Sequence, residues 1–173
     1  MLFISVIVPL YKGKKYIEPL IDNVKKMKNV LMEKLESSSV ELIFVNDYPQ
    51  ENINVNFEGD LNVLVVSHDA NRGIHQARIT GMHHAKGEYL LFLDQDDVLD
   101  EDFLFSHINK IYDNDVVVSN GFKDYGDKKI RLYKNRLAEK LVCNYKTYIY
   151  GTDMIFSPGQ CLVRKSAIHW EWE

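Results

Sequence analysis

Near the middle of the chain, a continuous apolar run ends abruptly in acidic residues. Tyr89 to Leu93 form the run, and Asp94-Gln95-Asp96-Asp97 follows it directly. A short apolar run of this kind is typical of a strand that is buried on both faces of a sheet. Because ligands of open α/β sheets bind beyond the carboxyl ends of the strands, this strand would deliver its carboxylates to a site.

The acids after this strand suggest a metal site. Clustered carboxylates repel one another and raise each other's pKa unless a cation lies among them. Hard oxygen ligands suit Mg²⁺ or Mn²⁺, so residues 94–97 are candidate ligands. The alternative is a solvated acidic loop that caps the next helix, which explains Asp100, Glu101 and Asp102 better.

The composition excludes several classes of protein. The 173 residues correspond to about one domain, and 46% apolar with 27% charged residues is typical of a globular protein with a real core. A net charge of −4 and the lack of a long basic run argue against a nucleic-acid partner. The two cysteines lack metal-ligand spacing and fit a reducing compartment. The apolar run 2–10 is too short to span a bilayer, so we expect no transmembrane segment.

Apolar segments alternate with amphipathic ones, which predicts βαβ crossovers and an α/β fold with a mainly parallel sheet covered on both faces. Strands are predicted at 3–8 (stopped by Pro9), 41–45, 62–66, 89–93 and 115–118, and shorter ones at 129–133 and 146–150. Helices are predicted at 14–35, at 73–86 with Gly87 as the C-terminal cap, and at 101–112 with Asp100 as the N-cap. Residues 157–159 are expected to form a turn. No linker or repeat interrupts the pattern, so one domain is expected.

Three of the predicted strands end in polar residues. These endings are Asn46-Asp47, His68-Asp69 and the acids from Asp94 to Asp97. If the strands are parallel, all three endings lie at one edge of the sheet. One acidic loop is common, whereas three at one edge indicate a site.

Four segments, in this order, resemble the nucleotide-sugar-binding half of glycosyltransferase family 2. They are SVIVPLYKGKKYI, LIFVNDYPQ, NRGIHQARITGMHHAKGEYLLFLDQDD and SPGQCLVRKSAI, and together they cover most of residues 3 to 168. The third segment is long and fairly specific, with its Asn-x-Gly, Ala-Arg and Asp-x-Asp elements. The resemblance implies the three-layer GT-A fold, which is that of nucleotide-diphospho-sugar transferases.

The resemblance implies a nucleotide site. Pro9 and Tyr11 would line the base and ribose pocket, and Asp47 would accept a hydrogen bond from the base, typically uracil. Arg78 and Gln95 would lie near the nucleotide. The alternatives are a packed loop aromatic for Tyr11, a turn-forming residue for Asp47 and a surface ion pair for Arg78.

The resemblance also implies the metal and acceptor sides. Asp96 would ligate the Mn²⁺ or Mg²⁺ that bridges the diphosphate, and Asp94 would contact the ribose or the metal. Gly159 and Gln160 would face the donor sugar or the acceptor, the alternative being a plain turn that enters a strand. Asp97 would support the ligands.

The implied reaction is metal-assisted, inverting transfer of a hexosyl or N-acetylhexosaminyl group from a nucleoside diphosphate sugar, with UDP-sugars favoured. The implied acceptor is the hydroxyl of a glycan or lipid-linked molecule in bacterial polysaccharide or cell-wall synthesis. The implied location is the cytoplasm, with peripheral association at the inner face of the membrane as the alternative.

Two departures from the family pattern stand out. The family's second motif commonly continues Asp-Gly-Ser, whereas this chain has Asp47-Tyr48-Pro49-Gln50. The family's catalytic base usually lies beyond the Gly-Gln strand, where only Glu171 and Glu173 remain. The expectation is therefore one domain, residues 1–173, that lacks its C-terminal part, with the base beyond Glu173.

Three alternatives remain at the sequence level. A haloacid-dehalogenase-type phosphatase also carries Asp-x-Asp after an apolar strand, but its Asp is followed by Gly-Thr, and here Val98-Leu99 follows. A non-catalytic nucleotide-sugar-binding module would bind the donor and metal without turnover. An NAD-binding domain would need a Gly-x-Gly-x-x-Gly loop after the first strand, which residues 11–14 do not form.

Overall fold

The structure is a computed structural model that describes residues 2–55, 59–132 and 157–168. The strands in these residues are β1 (Leu2–Leu10), β2 (Ser38–Asn46), β3 (Asn62–Ser67), β4 (Tyr89–Phe92), β5 (Val116–Val118), β6 (Phe122–Asp124), β7 (Lys129–Arg131) and β8 (Cys161–Arg164). The α-helices are α1 (Ile17–Lys34), α2 (Gly73–His84) and α3 (Phe103–Ile108). One helical layer on each side of the main sheet gives three layers.

Six strands form the main sheet, in the order β3-β2-β1-β4-β8-β5. The first four are parallel to one another, as the βαβ pattern predicts. β8 runs antiparallel to both β4 and β5, so the sheet is mainly parallel rather than wholly so. β6 and β7 pair as a separate antiparallel hairpin.

The two faces of the sheet bury alternate residues of the same strands. Val6 and Val8 of β1 pack with α1 and α3 in the larger core cluster. Ile7, between them, packs with Ala77 and Met82 of α2 in the smaller cluster. Successive strand residues point to opposite faces, so a strand covered on both sides is apolar throughout. This coverage explains the unbroken apolar runs in the sequence.

The prediction that Pro9 stops the first strand was wrong. Pro9 lies inside β1, where it is in register with Val45 of β2. β4 pairs with β1 only as far as Ile7. Beyond that point no strand of the described residues pairs with that flank of β1, and a residue without an N–H is tolerated there. The predicted first helix begins as a 3-10 turn over Lys14–Tyr16 before α1.

The predicted role of Gly87 as a helix cap was also wrong. Ala85 is the C-terminal cap residue of α2. At Gly87 a Cβ atom would lie 2.6 Å from the backbone nitrogen of Ser5. Gly87 is therefore required because the chain passes close to β1 there, rather than because the helix ends.

Other boundaries differ near the acids and near the C-terminus. The predicted helix over 101–112 with Asp100 as N-cap was wrong at both ends, because α3 spans only Phe103–Ile108 and its N-cap residue is Asp102. Asp100 instead accepts the Phe103 N–H with its backbone carbonyl in a turn. Residues 157–160 form a 3-10 turn in which Ser157 is the N-cap. The predicted strand at 129–133 is β7, and its partner β6 was not predicted. The predicted strand at 146–150 lies outside the described residues.

Candidate active site

A cleft of about 390 Å³ lies at the carboxyl ends of β1, β2 and β4. It is lined by Pro9, Leu10, Tyr11, Asp47, Asn71, Gly73, Ile74, Asp94, Gln95 and Asp96. Two of the polar strand endings predicted to converge, those of β2 and β4, therefore meet in one cleft. From the third ending, His68 contacts Asp47, and the exposed side chain of Asp69 pairs with Arg72.

Asp47 is a buried carboxylate that is held on several sides. The backbone N–H of Arg72 donates to its Oδ1 at 2.7 Å, and the N–H of Gly73 donates to its Oδ2 at 2.8 Å. Burial by itself would raise the pKa of Asp47, but these bonds and the His68 ring lower it below its usual value. An anion at the start of α2 is also favoured by the helix dipole. Asp47, which follows β2, thus caps the N-terminus of α2 although it is far from that helix in the sequence.

His68 is a site residue that the sequence reasoning did not assign. Its Nδ1 lies 2.8 Å from Oδ1 of Asp47, and its Nε2 lies 2.9 Å from Oγ1 of Thr80. A carboxylate can only accept, so Nδ1–H of His68 is the donor. The ring is buried and connects the ends of β2 and β3 to the middle of α2. The signal in the sequence was its position directly after a predicted strand.

Gln95 joins the loop after β4 to the loop after β1. Its Oε1 accepts from the backbone N–H of Tyr11 at 3.0 Å, and its Nε2 donates to the Tyr11 carbonyl at 3.3 Å. The Gln95 amide therefore pairs with the Tyr11 backbone as a strand would. A Cβ atom on Gly13 would lie 2.6 Å from the same Oε1 and 3.1 Å from Cβ of Leu10, so a side chain there would disturb this pairing.

Arg78 is paired inside the site. Its Nη2 donates to Oδ1 of Asp94 at 2.6 Å, and each side chain is about a quarter exposed, at 25% and 27%. The ion pair foreseen as an alternative for Arg78 is present, and its partner lines the cleft. Arg78 thus holds Asp94 from the side of α2 and compensates one of the acidic charges.

Asp96 and Asp97 differ in their surroundings. Asp96 is exposed and makes no hydrogen bond or ion pair with another residue of the described ranges. Asp97 is half-buried, and its Oδ2 accepts from Oγ of Ser157 at 2.7 Å. Burial raises the pKa of Asp97, the bond from Ser157 lowers it, and the negative charges of Asp94 and Asp96 raise it further, leaving it above its usual value. A cation beside these carboxylates would relieve that repulsion.

The described residues contain no group of three His, Cys, Asp or Glu side chains that could hold a metal by themselves. Mg²⁺ is usually held by one or two carboxylates together with substrate phosphates, so such a group is not required. The free oxygens of Asp96 and the repulsion around Asp97 fit a hard divalent cation. Because Arg78 occupies one oxygen of Asp94, Asp96 is the better placed ligand of the two.

Gly159 and Gln160 lie beside the acids but do not line the cleft. A Cβ atom on Gly159 would be 3.6 Å from Oδ2 of Asp97. The Gln160 side chain is buried, with Oε1 accepting from the Ser157 N–H and Nε2 donating to the Ser119 carbonyl. Its amide is therefore used to build the turn that presents Ser157 to Asp97. The predicted contact of these residues with a donor sugar or acceptor stays a prediction.

Four lining residues were not among the predicted site residues: Leu10, Asn71, Gly73 and Ile74, of which Asn71 and Gly73 form the Asn-x-Gly element of the family motif. Ile74 is 54% exposed in the first turn of α2, and Asn71 precedes that helix. Both reach the cleft because Asp47 docks the start of α2 against the end of β2.

No helix in the described residues is long and apolar enough to cross a bilayer.

The chain is similar to known proteins in sequence. A family model described as glycosyl transferase family 2 matches residues 5–170. The glycosyltransferase GlyG of Streptococcus pneumoniae is 30% identical over 137 residues, which cover 75% of this chain and 43% of GlyG. The family match is to neither the phosphatase nor the dinucleotide-binding alternative.

Solved structures share the fold. TarS of S. aureus, crystallised in complex with UDP-GlcNAc, superposes with a TM-score of 0.55 at 22% identity, covering 96% of this chain and 46% of that one. A mannosyltransferase of Pyrobaculum calidifontis, in complex with GDP-Man and Mn²⁺, superposes with a TM-score of 0.50 at 23% identity. The superposition covers 65% of this chain and 33% of the mannosyltransferase. These likenesses confirm the predicted GT-A fold. The chain spans less than half the length of each of these three proteins.

Proposed function

The chain belongs to glycosyltransferase family 2, and on that premise we propose that its cleft binds the nucleoside diphosphate of a sugar donor. The reaction would be transfer of the sugar to an acceptor hydroxyl with inversion. The observation that carries the proposal is the meeting of a buried, ionised Asp47 with the exposed Asp96 in one cleft. Asp47 suits a neutral N–H donor of a base, and Asp96 suits a cation together with the phosphates that the cation binds.

The hydrogen bonds of Asp47 leave room for one base N–H. Each carboxylate oxygen accepts about two hydrogen bonds. Oδ1 already accepts from His68 and Arg72, whereas Oδ2 accepts from Gly73 alone. One acceptor position on Oδ2 is therefore left for a ligand, and the ring N–H of uracil would satisfy it. This supports a uridine nucleotide, and the TarS complex contains one.

At the other end of the cleft, Asp96 would hold Mn²⁺ or Mg²⁺ together with the diphosphate. When bound, the cation would neutralise the negative charge that develops on the leaving diphosphate. Arg78 would keep Asp94 oriented, and Gln95 would hold the acidic loop against Tyr11. Displacement with inversion would also need a carboxylate base beside the acceptor hydroxyl, and we assign that role to none of the described residues. The sugar would be a hexose or an N-acetylhexosamine, and the acceptor a cell-wall or related glycan.

The test is calorimetric titration of UDP with and without Mn²⁺ on the wild type, Asp96→Ala and the control Asp100→Ala. Asp100 is an exposed acid nearby that does not line the cleft. We expect binding that needs Mn²⁺, is weakened at least about tenfold in Asp96→Ala and is unchanged in Asp100→Ala, since a lost charged contact costs about 1.4 kcal/mol or more.

Absence of UDP binding to the wild type in both conditions would contradict the uridine assignment, and GDP would then be titrated. Equal weakening by both substitutions would instead indicate a general charge effect. Release of UDP from UDP-GlcNAc in the presence of Mn²⁺ would separate a working transferase from a non-catalytic binding module.

A further inference from the structure

We propose that Tyr48 is a positioning residue that fixes the ring of Tyr11 as a platform for the donor base. The inference rests on the proposed function, because it names how the base end of the same cleft is built. Tyr11 lines the cleft and Tyr48 does not. Tyr48 would therefore act on the ligand only through Tyr11.

The two rings are in direct contact. Their centroids lie 5.3 Å apart with an interplanar angle of 67°, which is an edge-to-face pair. Tyr11 is 45% exposed, so part of its ring is open to the cleft and to solvent. An edge-to-face contact restricts a ring without covering both of its faces. Tyr11 can thus be ordered by Tyr48 and still offer a face to a base.

The loop that carries Tyr48 is itself well held. Oδ1 of Asn46 accepts from the Tyr48 N–H at 3.1 Å, and Nδ2 of Asn46 donates to the Glu51 carbonyl at 2.8 Å. The Glu51 N–H donates to the Tyr48 carbonyl at 3.0 Å. Oε2 of Glu51 also accepts from the N–H of Lys14, beyond Tyr11 in the neighbouring loop. These bonds fix Tyr48 relative to the loop of Tyr11 before any ligand arrives.

The ammonium group of Lys12 also lies near both the Tyr11 and the Tyr48 ring. The φ of Lys12, 51°, lies in the left-handed region, which is uncommon for a residue with a side chain. This turn brings its Nζ to 5.6 Å from the Tyr11 centroid and 5.4 Å from the Tyr48 centroid. One ammonium group over two rings favours the paired arrangement over either ring alone. The backbone conformation, the cation and the loop therefore favour the same ring placement.

The consequence for binding is a lower entropic cost. A mobile aromatic side chain must be ordered before a base can stack on it, and the loss of that freedom reduces affinity. Tyr48 replaces the glycine common at this place in the family motif, and a glycine offers no ring to restrain Tyr11. We infer that Tyr48 makes this chain's base site stiffer than the usual loop would.

The experiment compares Tyr48→Leu, Tyr48→Phe and Tyr125→Leu with the wild type. Tyr125 is a matched control, since it is 51% exposed and lies under Lys123 and Lys128 in the hairpin connection, away from the cleft. Each protein is titrated with UDP and, separately, with pyrophosphate, both in the presence of Mn²⁺. Thermal unfolding of each variant checks that it is folded.

We expect Tyr48→Leu to bind UDP about tenfold more weakly, by analogy with the loss of one base–aromatic contact. Tyr48→Phe and Tyr125→Leu should bind UDP as the wild type does, and pyrophosphate binding should be equal in all four proteins. Wild-type affinity for UDP in Tyr48→Leu would overturn the inference while leaving the proposed donor site intact. An equal loss of pyrophosphate binding would overturn it too, since the substitution would then act on the whole cleft. If the wild type bound neither UDP nor GDP, the proposed function would fail and the inference with it.

Discussion

At the scale of single residues, the carboxylate of Asp47 holds three segments together. It follows β2, it accepts from the side chain that follows β3, and it caps the first turn of α2. A group that is bonded this fully cannot move to meet a ligand. Its remaining acceptor position is therefore fixed in direction, which is the condition for recognising one N–H on a base.

The first prediction concerns Asp47→Asn. The amide keeps the shape of the side chain but turns one oxygen into a donor that faces either Arg72 N–H or the Gly73 N–H. We expect the free energy of unfolding to fall by about 1–3 kcal/mol, because a buried donor loses its partner. Urea unfolding at neutral pH measures the change. The control Asp69→Asn, at an exposed ion pair nearby, should change stability little, and an equal loss in both variants would contradict the prediction.

The pH dependence of stability gives a second prediction for the same carboxylate. The pKa of Asp47 in the folded protein lies below the ordinary value of 3.8. The ionised group therefore stabilises the fold fully above about pH 4, and this contribution is lost as the pH falls through the lowered pKa. Urea midpoints measured from pH 7 downwards should converge for wild type and Asp47→Asn at low pH. If the difference in urea midpoint between the two proteins stayed constant down to low pH, the ionised form of Asp47 would not be the cause of that difference.

At the scale of elements, the acidic loop after β4 is fixed from two sides by side-chain amides. Gln95 pairs with the backbone of Tyr11, and Asn23 of α1 pairs with the backbone of Leu99. The two clamps lie on either side of Asp96 in the sequence. The loop can therefore hold exposed carboxylates in place although it has no regular secondary structure.

A third prediction tests the clamp from α1. Nδ2 of Asn23 donates to the Leu99 carbonyl at 2.8 Å, and its Oδ1 accepts from the Leu99 N–H at 3.0 Å. Asn23→Ala removes both bonds, so we expect a loss of about 1–3 kcal/mol in stability and weaker Mn²⁺-dependent UDP binding. Asn29→Ala, an exposed position on the same helix, is the control for helix propensity. Unchanged UDP affinity in Asn23→Ala would show that the clamp does not position the ligands.

At the scale of the whole molecule, the central strands β2, β1 and β4 are more buried than the two edge strands of the sheet, β3 and β5. β1 lies between β2 and β4, and its residues from Ile4 to Val8 are fully buried. β5 is a short strand at the edge of the sheet, and Val116 in it is 43% exposed. The hairpin of β6 and β7 is exposed along its length. The cleft lies at the carboxyl ends of β1, β2 and β4, so the strands beneath it belong to the better buried part of the fold.

The fourth prediction follows from this division. Amide hydrogen exchange should be slowest in β1, β2 and β4, where opening approaches global unfolding, and fastest in the β6–β7 hairpin. Exchange followed by mass spectrometry on peptides from 2–10 and 122–131 measures the difference. Similar protection of the two peptides would contradict the division of the sheet and would imply that the hairpin is covered by another part of the protein.

The fold class, the parallel strands, the family and most residues of the cleft could be predicted from the amino-acid sequence. Apolar runs that end in Asp47 and in Asp94 to Asp96 are local patterns, and in a parallel sheet such endings meet at one edge without further information. The hydrogen-bond partner of each site side chain became known only from the tertiary structure. The pairing of His68 with Asp47, of Arg78 with Asp94 and of Asn23 with Leu99 depends on distances between residues far apart in the chain. The same reason explains Gly87, which looked like a helix cap locally but is needed because Ser5 of another strand lies against it.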